Sequence, residues 1–328
     1  MGIDYSEKIL LTGAGFTHNF GGPLATEMWA WIFNSKFIQS ERSLRELMLK
    51  DFDFESVYYK VMEGKYKADQ KKAMQEAVLT AFDRLDKIIR EYNDNEQSSV
   101  NLSLVRENLL NRFYQQGKRC FIFTLNQDLF LERKYSEGHR PYLPGIKQNQ
   151  TWFTPSCREV MQRTYHYPDL PTSDQLNEIK ENELHNRNFF YIKLHGSYTW
   201  ISSQGSDLLV IGRGKTAKIK NEPLLKWYFE LFQEVLFKPN RKILIIGYGF
   251  RDDHINEVLS EAISRYGLEI YIVSPVSPEK FKNNLIRTSR YKIWLGLTGY
   301  FPFTLERMYN RSGLTQVGRS LTEHFFEE

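Results

Sequence analysis

The sequence predicts an α/β fold, a parallel sheet flanked by helices. Five short apolar runs carry that reading: residues 8–12, 119–125, 189–194, 242–246 and 269–273. Each ends at once in small or polar residues, as strands buried on both faces of a parallel sheet do. The second observation is the helical spacing of apolar residues in the segments between them. The third concerns function. In such sheets ligands bind beyond the carboxyl ends of the strands. The polar ends here are Gly13, Ala14 and Gly15; Asn126 and Asp128; His195; Gly247 and Gly249; and Ser274.

Taken in order, residues 8–12 form the first strand and run into the glycine turn Gly13-Ala14-Gly15. A second corner follows at Gly21-Gly22-Pro23, and residues 24–37 read as a helix rich in aromatics that suit a core. Residues 41–116 carry helical spacing almost throughout. Residues 73–92 present Ala77, Val78, Ala81, Phe82, Leu85, Ile88 and Ile89 on one face. With no strand signal, 41–116 is expected to be a helical module inserted between the first two strands of one domain spanning 1–328. Residues 135–172, with five prolines, form a lid or a small subdomain. Residues 207–212 read as a short strand, 223–236 and 255–266 as helices, and 296–303 as a tail preceding a last helix at 304–309.

Composition sets bounds. At 328 residues with 41% hydrophobic content a sizeable core is available. The balance of 44 basic against 40 acidic residues gives no reason to expect nucleic-acid binding. Cys120 and Cys157 suit a reducing compartment and are too few for a four-cysteine zinc module. No apolar run approaches the roughly 20 residues needed to span a bilayer. The amino terminus lacks the basic-then-apolar order of a signal peptide, so a cytoplasmic location is expected.

Glycine loops after a first strand hold phosphates and dinucleotides. The dehydrogenase fingerprint needs a third glycine where this chain has His18. Gly214-Lys215-Thr216 imitates the end of a P-loop, but the required earlier glycine is Leu209. There is no Gly-x-Ser-x-Gly elbow, and no convincing metal-ligand spacing. Asn126 and Asp128 share a face if the backbone there is extended; they serve either to cap the next helix or to orient a ligand hydroxyl or water. His195, at a strand end, is either a hydrogen-bonded core histidine or a general base. The other histidines lack that placement, although His18 lies within reach of a ligand at the glycine loop.

Taken as a set, Gly13-Ala14-Gly15-Phe16-Thr17, Gly21-Gly22-Pro23, Thr124-Leu125-Asn126-Gln127-Asp128, Lys193-Leu194-His195-Gly196-Ser197 and Gly247-Tyr248-Gly249 resemble the sirtuin superfamily in order and spacing. The nearest likeness is to the bacterial sirtuin-like domains of anti-phage defence systems. The resemblance implies a Rossmann-like parallel sheet and an NAD+ hydrolase that releases nicotinamide and depletes infected cells of NAD+. It implies Asn126 and His195 as catalytic, Gly13, Ala14 and Gly15 facing the pyrophosphate, Thr17 among the NAD+-binding residues, and Asp128 supporting Asn126. Gly247, Gly249 and Ser274 would lie near the adenosine half. NAD+ would be the substrate, with no metal. The partners implied are a second copy of the chain or a defence protein such as a HerA-like ATPase. The Pro-Asp-Phe-Arg element of sirtuin deacylases does not follow Gly22-Pro23. That absence, with the missing four-cysteine module, argues against protein deacylation; a nucleotide-binding sensor without catalysis is the alternative.

Overall fold

A computed structural model describes residues 4–95, 98–135, 139–146, 154, 156, 158–159, 170–203 and 208–327. Six strands form one sheet: β1 (Tyr5–Thr12), β2 (Arg119–Thr124), β3 (Phe189–Lys193), β4 (Lys242–Ile246), β5 (Glu269–Val273) and β6 (Leu297–Phe301). Their order is β3-β2-β1-β4-β5-β6, and every neighbouring pair is parallel. This is the Rossmann-like order, in which the chain reverses direction across the sheet between β1 and β4. The central strands are apolar on both faces because helices cover both: Ile9, Leu10, Leu11 and Ile243, Leu244, Ile245 are fully buried.

Register brings the strand ends level. Thr12 pairs with Thr124 and Ile246, Thr124 with Lys193, and Ile246 with Val273. The residues that follow, Gly13, Leu125, Leu194, Gly247 and Ser274, therefore form one row along the carboxyl edge.

Between β1 and β2 the described residues are helical. The longest helix, Ala68–Glu91, buries Met74, Ala77, Val78, Ala81, Phe82, Leu85 and Ile89. It starts five residues before the periodic pattern suggested, because the Gln70 side chain accepts from the Lys67 amide and closes the first turn. The helix expected over 24–37 is two, Ala25–Phe33 and Lys36–Gln39; Ser35 breaks it by capping the second. Pro223–Leu236 begins with proline in its first turn, where no amide partner is needed. Asp253–Tyr266 ends at Gly267 in the left-handed conformation.

Two expectations are corrected. Residues 208–211 are buried but form no strand: Gln127 Nε2 donates to the Val210 carbonyl and Lys218 Nζ to that of Leu209, so side chains satisfy this backbone. The stretch 296–303, read as a tail, supplies β6 at the sheet edge. Most of 135–172, including Cys157, lies outside the described residues. Among the described residues no helix is long and apolar enough to cross a membrane.

Candidate functional site

The two glycine turns meet at the point where strand order reverses. The Gly13 amide donates to the Ile246 carbonyl (3.0 Å) and the Gly15 amide to that of Gly247 (2.9 Å). A Cβ on Gly15 would lie 2.7 Å from the Gly247 Cα, and one on Gly247 would lie 2.1 Å from the Phe16 amide nitrogen. Gly247 also has φ +71°. These glycines are needed because two backbones touch. The amides of Gly13 and Gly15 are already bonded within the protein, and Ala14 opens a helix of only five residues, Ala14–His18. A Cβ on Gly249 would meet only Arg251 Cγ, at 3.9 Å, so no close backbone approach requires this glycine. Ser274 Oγ accepts from the Val276 amide (3.4 Å) while its own amide donates to the Phe301 carbonyl.

Asn126 follows β2, directly beside this turn. Its amide nitrogen donates to the Gly13 carbonyl (3.1 Å) and to Thr17 Oγ1 (3.0 Å). The Thr17 hydroxyl in turn donates to Asp128 Oδ2 (2.9 Å), and Asp128 Oδ1 accepts from the Phe130 amide (3.0 Å). Asp128 thus both supports Asn126, through Thr17, and caps the following helix. Its burial pushes the carboxyl pKa up, against the pull of Lys193 and these hydrogen bonds. Both N–H groups of Asn126 are committed, so the amide plane is fixed. Its Oδ1 accepts no hydrogen bond among the described residues, leaving one oriented acceptor.

Beneath Asn126 lies a cavity with room for about one water molecule, lined by Thr17, Asn126, Asp128, Glu132, Tyr191 and Lys193. Lys193 and Glu132 form a fully buried ion pair there (2.9 Å), and Lys193 also donates to the Asp128 carbonyl. Among the described residues Glu132 Oε2 is buried without a hydrogen-bond partner, which suits a water in that cavity.

His195, 3% exposed, follows β3. Its Nε2 lies 3.0 Å from Nε2 of His254, in the first turn of Asp253–Tyr266. The Leu125 backbone also hydrogen-bonds this ring. In the contact one Nε2 donates and the other accepts, the tautomers of the two rings deciding which. Burial pushes the His195 pKa down to about 3; Asp252 works against this, and Lys215 and His254 add to it. Burial likewise lowers the pKa of His254. Lys215 joins the group, 2.9 Å from Asp252 Oδ1 and 2.7 Å from Glu55 Oε2. Burial disfavours its charge, but the two carboxylates outweigh that and hold its pKa up.

The structure thus brings Gly13, Gly15, Thr17, Asn126, Asp128 and Gly247 into direct contact and sets His195 beside them through Leu125. Ser274 bonds away from this group. Sequence reasoning passed over His254 and Lys215. His254 was set aside as lacking a strand-end position; the polar run Asp252-Asp253-His254 directly after Gly247-Tyr248-Gly249 was the signal for it. No metal had been expected, yet donor atoms of His195, Asp252 and His254 lie within 4.8 Å of one another, a grouping that can hold a metal ion.

A family model described as a SIR2-like domain matches residues 121–293, just over half of the chain. The match begins in β2 and takes in Asn126, Asp128, His195, Gly247, Gly249 and Ser274. No curated protein matches the chain.

Proposed function

The chain belongs to the SIR2-like domain family, and on that premise we propose that it cleaves NAD+ to nicotinamide and ADP-ribose. The observation that carries the reading is Asn126, whose NH2 is held by Gly13 and Thr17 so that its carbonyl oxygen is left as an oriented acceptor. In the reaction the bond from ribose C1′ to the nicotinamide nitrogen breaks. Its electron pair returns to the ring, and the departing nicotinamide is neutral. The ribose left behind carries oxocarbenium character. Water attacks C1′ and loses a proton, giving ADP-ribose.

A fixed amide oxygen suits two tasks here. It accepts a hydrogen bond from the attacking water or a ribose hydroxyl, and its negative end faces the developing positive charge. His195, neutral at ordinary pH, is the base assigned to that proton. The wider role proposed is NAD+ depletion in anti-phage defence. A second copy of the chain, or a partner such as a HerA-like ATPase, would restrain the activity until it is triggered.

The test is nicotinamide release from NAD+ by the full chain, followed by chromatography. Wild type should turn over. Asn126→Ala should lose a factor of about 10²–10³, the scale for removing one preorganised polar group from a reaction centre, beyond what any fall in its thermal midpoint explains. Equal rates for the two proteins would remove the reading. A second reading is a module that binds NAD+ and leaves it intact. The engagement of His195 Nε2 by His254 favours it, and saturable binding with the ligand recovered whole would establish it.

A further inference from the structure

His195 and His254 come from distant parts of the sheet. With order β3-β2-β1-β4, the strands preceding them are separated by three strand spacings, about 14 Å. Yet their Nε2 atoms are 3.0 Å apart. The contact therefore spans the ends of β2 and β1, where Leu125, Asn126 and Gly13 lie. It also engages the Nε2 that His195 would offer to a substrate.

The backbone that carries His254 is fixed. The Tyr248 hydroxyl bonds Asn256 Oδ1 (3.1 Å) and accepts from the Asp252 amide (3.1 Å). Asn256 Nδ2 donates to the Phe250 carbonyl (3.1 Å), which Arg290 also bonds. Arg290 reaches Asp253 Oδ1 at 2.6 Å. His254 itself is only partly buried, whereas His195 is 3% exposed. Of the two rings, His254 is the one with solvent to turn into, by side-chain rotation on a fixed first helical turn.

We propose that His254 is a cap on His195: it occupies Nε2 in the empty site and is displaced when the nicotinamide-side ribose or its attacking water takes that nitrogen. The identity of the ligand rests on the NAD+ cleavage reading; the cap rests on the histidine geometry. Holding a positioning residue in place of substrate weakens binding by the stability of the capped state. One net hydrogen bond corresponds to a factor of about five in apparent affinity.

The experiment compares His254→Ala and His254→Gln with wild type by steady-state nicotinamide release. It then repeats the comparison by NAD+ calorimetry in an Asn126→Ala background, where ligand is not consumed. Removing the cap in His254→Ala should lower KM and the calorimetric Kd about fivefold. His254→Gln, whose amide can still donate to Nε2, should return both toward the His254 values. Thermal midpoints check that each variant folds, and His254→Leu, which likewise cannot bond Nε2 and should give the same drop of about fivefold, carries the test if alanine does not fold. Unchanged KM and Kd in both variants would overturn the cap. So would kcat falling a hundredfold or more in both at constant KM, since His254 would then be taking the proton itself. A stoichiometric zinc ion in the purified chain, lost in His254→Ala, would overturn it by making the pair a metal site. If wild type binds NAD+ without releasing nicotinamide, the cleavage reading fails while the Kd comparison still decides the cap. If no variant binds NAD+, both fall.

Discussion

Asn126 is held by neighbouring strand ends, whereas His195 meets its partner across two intervening strands. The amide side of the site is assembled from β1 and β2: Gly13 and Thr17 follow one, Asn126 and Asp128 the other, and every hydrogen bond among them closes over a single strand spacing. The histidine side joins the turns after β3 and β4 through one contact between ring nitrogens. A network of several bonds between adjacent strands is hard to open, while a single contact between distant turns opens by one side-chain rotation. Rigidity suits the group that must face the reacting carbon, and a replaceable contact suits the group that must exchange a proton.

The sharpest way to break this comparison is at Thr17, whose hydroxyl alone links Asn126 to Asp128. Thr17→Val leaves a buried Asp128 oxygen and one Asn126 N–H without partners, at a cost of about 1–3 kcal/mol each. The amide is then free to turn, and nicotinamide release should fall about tenfold beyond any loss explained by unfolding. Thr17→Ser keeps the hydroxyl and should restore most of both. Urea unfolding with the rate assay reads the two together; equal rates for Val and Ser would show that the amide needs no hold from Thr17.

How much of this was legible follows from the same contrast. The five strand ends announce themselves locally, because an apolar run must stop where glycine or polar residues begin. So Gly13, Asn126, Asp128, His195 and Gly247 could be picked out one by one. That Thr17 joins Asn126 to Asp128 depends on β1 lying beside β2, which a sequence separation of 109 residues conceals. His254 was missed for a related reason. It stands on a helix eight residues past β4, and only the return of that turn across the sheet brings it to His195. β6 hid because it is a half-exposed edge strand containing Gly299 and followed by Pro302, so its pattern is not that of a buried strand. The run 208–211 misled in the opposite direction. It is as apolar as a strand, but side chains rather than a neighbouring strand satisfy its carbonyls.

Acid should act on the histidine side before the amide side. The folded chain keeps His195 neutral down to about pH 3, while the unfolded chain takes up a proton near pH 6.5. Between those values the unfolded state binds more protons, so stability falls as pH drops below about 6.5. His254, also shifted down by burial, contributes in the same direction. From pH 6.5 to pH 5 the loss attributable to His195 is at most about 2 kcal/mol. His195→Gln removes the titrating group, so its urea midpoint should vary less over that range. An unchanged slope would mean that His195 is not buried and neutral in the folded protein.

The smallest effect is expected at Thr12, which ties β1 to β2 without touching Asn126. Its hydroxyl donates to Thr124 Oγ1 at 2.9 Å, and Thr124 Oγ1 also accepts from the Asn126 amide at 3.1 Å. Thr12→Val removes one buried hydrogen bond, about 1 kcal/mol, while Thr124 keeps its bond to the Asn126 backbone and the side-chain amide keeps Gly13 and Thr17. Stability should drop by that amount, and nicotinamide release should stay within about threefold of wild type, because every group that fixes the Asn126 side chain is still present. If Thr12→Val instead slowed the reaction as much as Thr17→Val, the spacing of β1 and β2 would be what orients Asn126. The three side-chain links would then act as one strut, and the hold on the amide would have no separate part in the rate.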